Sequence, residues 1–131
     1  MARGRRLEGK RVMVVDDNYL IAMMLCDVMQ AAGAVAIGPV GTSAEAMKLA
    51  MHAKLDGVLL ELNLPGGGGM QVVEYLRSRK VPVVLVTGYD RLSLDPRVQD
   101  LPYLSKPTAA SDLVEQVAAA LDRLHEREQP K

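Results

Sequence analysis

The stretch VLLELNLPGGGG, residues 58–69, reads as a buried strand that delivers one carboxylate, Glu61, to its end and then breaks into four glycines. Two more carboxylates, Asp16 and Asp17, follow the apolar run Val12 to Val15. A hydroxyl, Thr87, closes the run VVLVT, and Lys106 follows Tyr103 and Leu104. Each of these side chains stands where the chain leaves an apolar segment. Carboxylates brought together repel one another unless a cation joins them, and oxygen ligands of this kind suit the hard ion Mg²⁺, which keeps several waters. A lysine and a hydroxyl at the rim add donors for an anion on the metal's outer side. Acids, hydroxyl and lysine together describe a site for phosphoryl transfer, in which catalysis is mostly positioning and neutralisation of charge. Taken singly, each residue has a structural reading: Asp17 or Asn18, for example, would cap the helix that follows.

The elements that must position them alternate. Val12 to Val15 is a short continuous apolar run, as expected of a strand covered on both faces. In YLIAMMLCDVMQAAG the residues Ile21, Met24, Leu25 and Val28 recur at helical spacing, and Gly33 is placed to stop the helix. A weaker strand, Ala34 to Ile37, ends at Gly38-Pro39. Thr42 and Glu45 then form a capping box that opens a helix through Ala53. Gly57 to Glu61 is the third strand and Met70 to Arg79 the next helix, with Val72, Val73 and Leu76 on one side. Pro82 precedes the fourth strand. The stretch from Gly88 to Leu101, interrupted by Pro96, predicts at most a short helix. Tyr103-Leu104 is a brief fifth strand, and Thr108 can cap a last helix striped by Val114, Val117, Leu121 and Leu124. This order, with right-handed crossovers, predicts an α/β fold: a doubly wound, five-stranded parallel sheet with helices on both faces. In such sheets the ligand site lies at the carboxyl ends of the strands, where the residues above converge.

A chain of 131 residues suits one domain. Sixteen basic and sixteen acidic residues cancel, so overall charge draws the protein neither to nucleic acid nor to an anionic membrane. No apolar run approaches the ~20 residues that span a bilayer, and MARGRRLEGKR lacks a signal peptide's apolar centre, so a cytoplasmic location is expected. The lone Cys26 fits a reducing compartment. Residues 1–9 read as a solvated basic arm, 10–125 as the domain and 126–131 as a fraying tail. The methionines, Met23, Met24 and Met29 among them, fill core, and those in excess of one buried stripe would suit an adaptable protein-binding face.

From Lys10 to about Leu124 the sequence resembles the receiver domain of two-component response regulators. The resemblance rests on VMVVDDN at 12–18, DGVLLELNLPG at 56–66, VLVTG at 84–88 and YLSKP at 103–107. Thr87, Gly88 and Tyr89 are similar to the threonine-glycine-tyrosine signature of small stand-alone bacterial receivers. The resemblance implies a flavodoxin-like sheet of strand order 2-1-3-4-5. It implies that Asp17 is the principal metal ligand, that Asp16 acts largely through water, and that the backbone carbonyl of Asn63 is a third ligand for Mg²⁺. Thr87 would move toward a bound phosphoryl group, Lys106 would contact it before a cis bond to Pro107, and Tyr103 would turn inward as Thr87 moves. Implied partners are a histidine kinase, a phosphotransfer protein or another signalling protein, with a homodimer also open; no nucleic acid or membrane is implied.

Position 61 in this pattern belongs to the aspartate that accepts the phosphoryl group, and here it is Glu61. The longer side chain displaces the nucleophilic oxygen, and misplacement of about an ångström costs roughly a hundredfold in rate. The expected protein is therefore a stand-alone pseudo-receiver without turnover, acting through protein contacts, with Glu61 neutralised by Lys106 or by the metal. The alternatives are a working phospho-acceptor, including one carrying an introduced phosphomimetic glutamate, and a flavodoxin-like cofactor binder. Four tyrosines and no tryptophan or phenylalanine offer little to stack on a flavin. The shortened stretch after Thr87 stands where the family has its fourth helix, and Gly66 to Gly69 predict a loop of unusual freedom.

Overall fold

In the computed structural model the described residues are 6–106 and 109–128, without the side chains of Arg91 and of 123–128. Pro107, Thr108, the Leu124 side chain and residues 129–131 of the expected tail lie outside them.

Five parallel strands form one sheet in the order β2-β1-β3-β4-β5. They are β1 (Arg11–Val15), β2 (Val35–Val40), β3 (Gly57–Leu60), β4 (Val83–Thr87) and β5 (Tyr103–Ser105). Four helices cover them: α1 (Tyr19–Ala31), α2 (Ser43–His52), α3 (Gly69–Ser78) and α4 (Ala110–Glu128). Every residue of β3 and β4 is buried, as are four of the five in β1, which is why those segments read as continuous apolar runs. Alternate side chains enter two cores. Val12, Val14, Leu59, Val84 and Val86 join α1 and α4 on one face, through Leu25, Met29, Leu113 and Val117. Met13, Val15, Val58, Leu60, Val83 and Leu85 join α2 and α3 on the other, through Ala46, Val72, Val73 and Leu76. This doubly wound sheet is the architecture that the alternating elements predicted.

Three expectations need correction. β2 does not stop at Ile37; it runs through a cis Gly38-Pro39 peptide to Val40, with a register irregularity against β1 between Met13 and Val15. A strand paired on one side only can carry a residue without an N–H, and β2 is such an edge strand. In α1 the buried face is Ala22, Leu25, Cys26 and Met29, not the stripe through Met24, which is 43% exposed. The helix is apolar on most sides, so its sequence has no unique phase, and the small Ala22 and Cys26 let its backbone approach the sheet. Leu7, within the expected solvated arm, is 1% exposed in the core, with its amide on the Ala32 carbonyl and the neighbouring Arg6 3.5 Å from Glu115.

The starts of α1 and α2 follow their side-chain caps. Asn18 accepts from the Ile21 amide at 3.2 Å. Thr42 accepts from the Glu45 amide at 3.1 Å, and Glu45 reaches back to the Gly41 amide and the Thr42 hydroxyl, each at 3.2 Å. Between β4 and β5 only two 3-10 turns form, Arg91–Ser93 and Pro96–Val98, as Pro96 led one to expect. Arg97 fastens this segment, meeting Asp95 at 2.7 Å and Glu74 of α3 at 3.4 Å, while Arg77 of α3 meets Asp100 at 2.8 Å. The Arg97 side chain and amide, hydrogen-bonded to Asp95, lower that carboxyl to about 2. Among the described residues no helix is long and apolar enough to cross a membrane.

Candidate functional site

The parallel pairing continues one residue past the strands and sets the site. The Asp16 amide donates to Val40, the Glu61 amide to Val15 and the Lys106 amide to Thr87, at 3.0, 2.9 and 2.9 Å. Asp16, Glu61 and Lys106 thereby leave the sheet side by side at its carboxyl edge, with Thr87, fully buried, on the strand between Glu61 and Lys106.

The two acids are held alike. Asp16 Oδ1 accepts from the Asn18 amide at 2.9 Å, and Glu61 Oε2 from the Asn63 amide at 3.0 Å. Their other oxygens meet one ammonium: Lys106 Nζ lies 2.7 Å from Asp16 Oδ2 and donates to Glu61 Oε1 at 3.0 Å. The Asp16 contact is an ion pair, and Oδ2, buried, accepts no hydrogen bond among the described residues. Asp16 and Glu61 are 3% and 6% exposed, so this charge balance is made away from bulk water. Burial, the largest single effect on Lys106, lowers its pKa, but the close contacts with Asp16 and Glu61 together outweigh it and raise the pKa.

Thr87 faces a second arrangement. Its Oγ1 accepts from the Tyr89 amide at 3.3 Å, and the Tyr103 hydroxyl donates to the Tyr89 carbonyl. Tyr89's backbone is thus gripped from both strands β4 and β5, while its ring stands exposed. Asp17 and Asn63, expected as metal ligands, are both exposed. Among the described residues no group of three acidic, histidine or cysteine side chains could hold a metal ion.

The sequence reading had no signal for the backbone amides of Asn18 and Asn63, nor for Ser43. The Ser43 hydroxyl at the start of α2 donates to the Gly67 carbonyl at 2.9 Å. This pins the loop expected to be free. At Gly69, which opens α3, a Cβ would lie 2.1 Å from the Leu62 carbonyl oxygen, so the last glycine is required by close approach. A cavity of about 410 Å³ lies beside this loop, between Asn63, Gly68 and Met70 on one side and Leu94 and Asp95 on the other.

A sheet of order 2-1-3-4-5 with an acid pair and a lysine at its carboxyl edge defines a class, and comparison with known proteins identifies it. The family model for the response regulator receiver domain matches residues 12–118. The chain is similar to the transcriptional regulatory protein PdtaR of Mycobacterium tuberculosis, 30% identical over 121 residues, covering 89% of this chain and 59% of that one. It is 29% identical over 119 residues to the polar-differentiation response regulator DivK of Brucella anthropi, covering 86% of this chain and 96% of that one. The solution structure of SdrG from Sphingomonas melonis Fr1 superposes with a TM-score of 0.73 at 35% identity, over 89% of this chain and 97% of that one. The chain spans well under two thirds of PdtaR. It belongs to the response regulator receiver domain family and is a receiver of two-component signalling.

Receiver domains generally bind Mg²⁺ at their phosphorylation site. The oxygens of Asp16 and Glu61 have the right chemistry for such an ion, but an ammonium already stands between them and Asp17 does not join them in a three-acid group. As arranged, these residues do not fit a divalent ion held by a carboxylate cluster.

Proposed function

We infer that this receiver acts as a pseudo-receiver: a phosphorylation-independent interaction module of a two-component pathway, with Glu61 at the position where the family accepts a phosphoryl group. The observation that carries the reading is the engagement of both Glu61 carboxylate oxygens, Oε1 by Lys106 at 3.0 Å and Oε2 by the Asn63 amide at 3.0 Å. A nucleophilic oxygen must present a lone pair in line with the incoming phosphorus; each Glu61 oxygen spends one of its two lone pairs on these contacts, which fix the carboxylate's orientation one methylene beyond where the family's aspartate holds it. The extra methylene of glutamate lets its carboxylate reach Lys106 directly. The lysine that would meet a phosphoryl oxygen is satisfied in its absence. Thr87, Tyr103 and Pro107 keep in this reading the switch positions that the family resemblance implies, while Asp17 and Asn63 keep the family's ligand positions in sequence only.

The module has no turnover of its own and works in the cytoplasm by binding a histidine kinase, a phosphotransfer protein or another signalling protein. The experiment is intact-mass measurement after incubation with Mg²⁺ and a small acyl-phosphate donor, on the parent chain and on Glu61→Asp. An adduct confined to the aspartate variant is the expected result. An adduct on the parent chain would make it a working phospho-acceptor and overturn the reading.

A further inference from the structure

We propose that Lys106 serves this receiver as its resident cation, so that the acid site is closed to Mg²⁺ and the fold is set without it. The inference rests on the reading of Glu61 above and extends it from the phosphoryl group to the metal. Its basis is the mismatch between the family's ion and the residues present.

Two buried carboxylates, Asp16 and Glu61, share one ammonium at 2.7 and 3.0 Å. Their remaining oxygens accept the Asn18 and Asn63 amides, so three of the four carboxylate oxygens accept a hydrogen bond and the fourth, Asp16 Oδ2, is ion-paired. Mg²⁺ demands oxygen ligands at about 2.1 Å in near-octahedral array and parts with its waters reluctantly. Between Asp16 Oδ2 and Glu61 Oε1 it would displace the ammonium or share its space. A dication there is repelled by the lysine about twice as strongly as a single positive charge would be. Displacement would break both ion pairs of a lysine whose side chain is only 20% exposed. Asp17 is exposed and stands outside any three-acid group among the described residues, so no carboxylate cluster gathers a cation around it.

The geometry also says what would reopen the site. Glu61→Asp withdraws the carboxylate from Lys106 by one methylene, and Lys106→Met removes the ammonium and leaves two buried acids seeking a cation. The test is a MgCl₂ titration at constant ionic strength, followed by the backbone amide resonances of Asn18 and Asn63 and by thermal unfolding, for the parent and both variants. The parent is expected to show neither amide shifts nor a rise in Tm through about 10 mM, well beyond the weakest ordinary protein cation sites. At least one variant is expected to shift both amides and bind at least about tenfold more tightly. If Lys106→Met does not fold alone, Glu61→Asp still decides. Saturable shifts in the parent at low millimolar Mg²⁺ would overturn the proposal, as would two folded variants as indifferent to Mg²⁺ as the parent. Mg²⁺ binding by a parent that forms no phosphoryl adduct would sink this inference alone. An adduct formed equally with and without Mg²⁺ would sink the functional reading alone.

Discussion

Lys106 and Glu61, 45 residues apart in the chain, meet at 3.0 Å across the carboxyl end of β4, from the ends of β5 and β3. Removing one partner of a buried pair strands the other, so Lys106→Met is expected to lower stability by about 3 kcal/mol. In a Glu61→Ala background the same substitution should cost less, by about 1 kcal/mol or more, because only Asp16 is left uncompensated. Urea unfolding of the four proteins measures the difference. Additive losses would show that the two side chains do not interact in solution.

The raised pKa of Lys106 implies a loss of stability on the alkaline side. A group that binds its proton more tightly folded than unfolded contributes fully below its unfolded value, here 10.5, and loses that contribution as pH rises through the higher folded value. The difference in unfolding free energy between the parent and Lys106→Met should therefore be constant near neutrality and shrink above pH 10.5. A difference independent of pH would mean that the ammonium is not coupled to folding.

Gly69 and Gly66 separate two reasons for a glycine. A Cβ at Gly69 meets the Leu62 carbonyl at 2.1 Å, where backbone must move, whereas at Gly66 it meets nothing within 4 Å and only the positive φ of 81° resists. Gly66→Ala should cost about 1 kcal/mol and Gly69→Ala more than about 2 kcal/mol. Chemical denaturation of the two variants gives the order, and equal costs would mean that the loop moves freely away from Leu62.

Tyr103→Phe removes the hydroxyl that holds the Tyr89 carbonyl, while the Tyr89 amide keeps Thr87 Oγ1. A stability loss of about 1 kcal/mol is expected, with faster hydrogen exchange at the Tyr89 amide. Unchanged exchange there would show that the grip from β5 does not order the loop.

Much of this architecture was legible because buried parallel strands announce themselves: β1 after Arg11, β3, and β4 up to Thr87 are continuous apolar runs, and each delivers a polar residue at its end. The gathering of Asp16, Glu61 and Lys106 follows from that topology. What escaped notice has physical causes. The edge strand β2 tolerates Pro39 where an inner strand would not. In α1, apolar residues on most sides leave the burial phase to be decided by side-chain size. The amides of Asn18 and Asn63 are backbone groups that every residue type offers, so no pattern marks them. Asp17 is identical in type to its neighbour, but only the residue at position 16 is buried toward Lys106.

The two margins of the sheet bear on how it can meet other molecules. β2 contains Pro39, which has no N–H to give, and β5 is three residues long. A strand laid against either side would find few successive donors and acceptors, so ribbon-like growth from copy to copy is discouraged. A protein held this way keeps its backbone to itself and must be recognised through the side chains of its helices and loops.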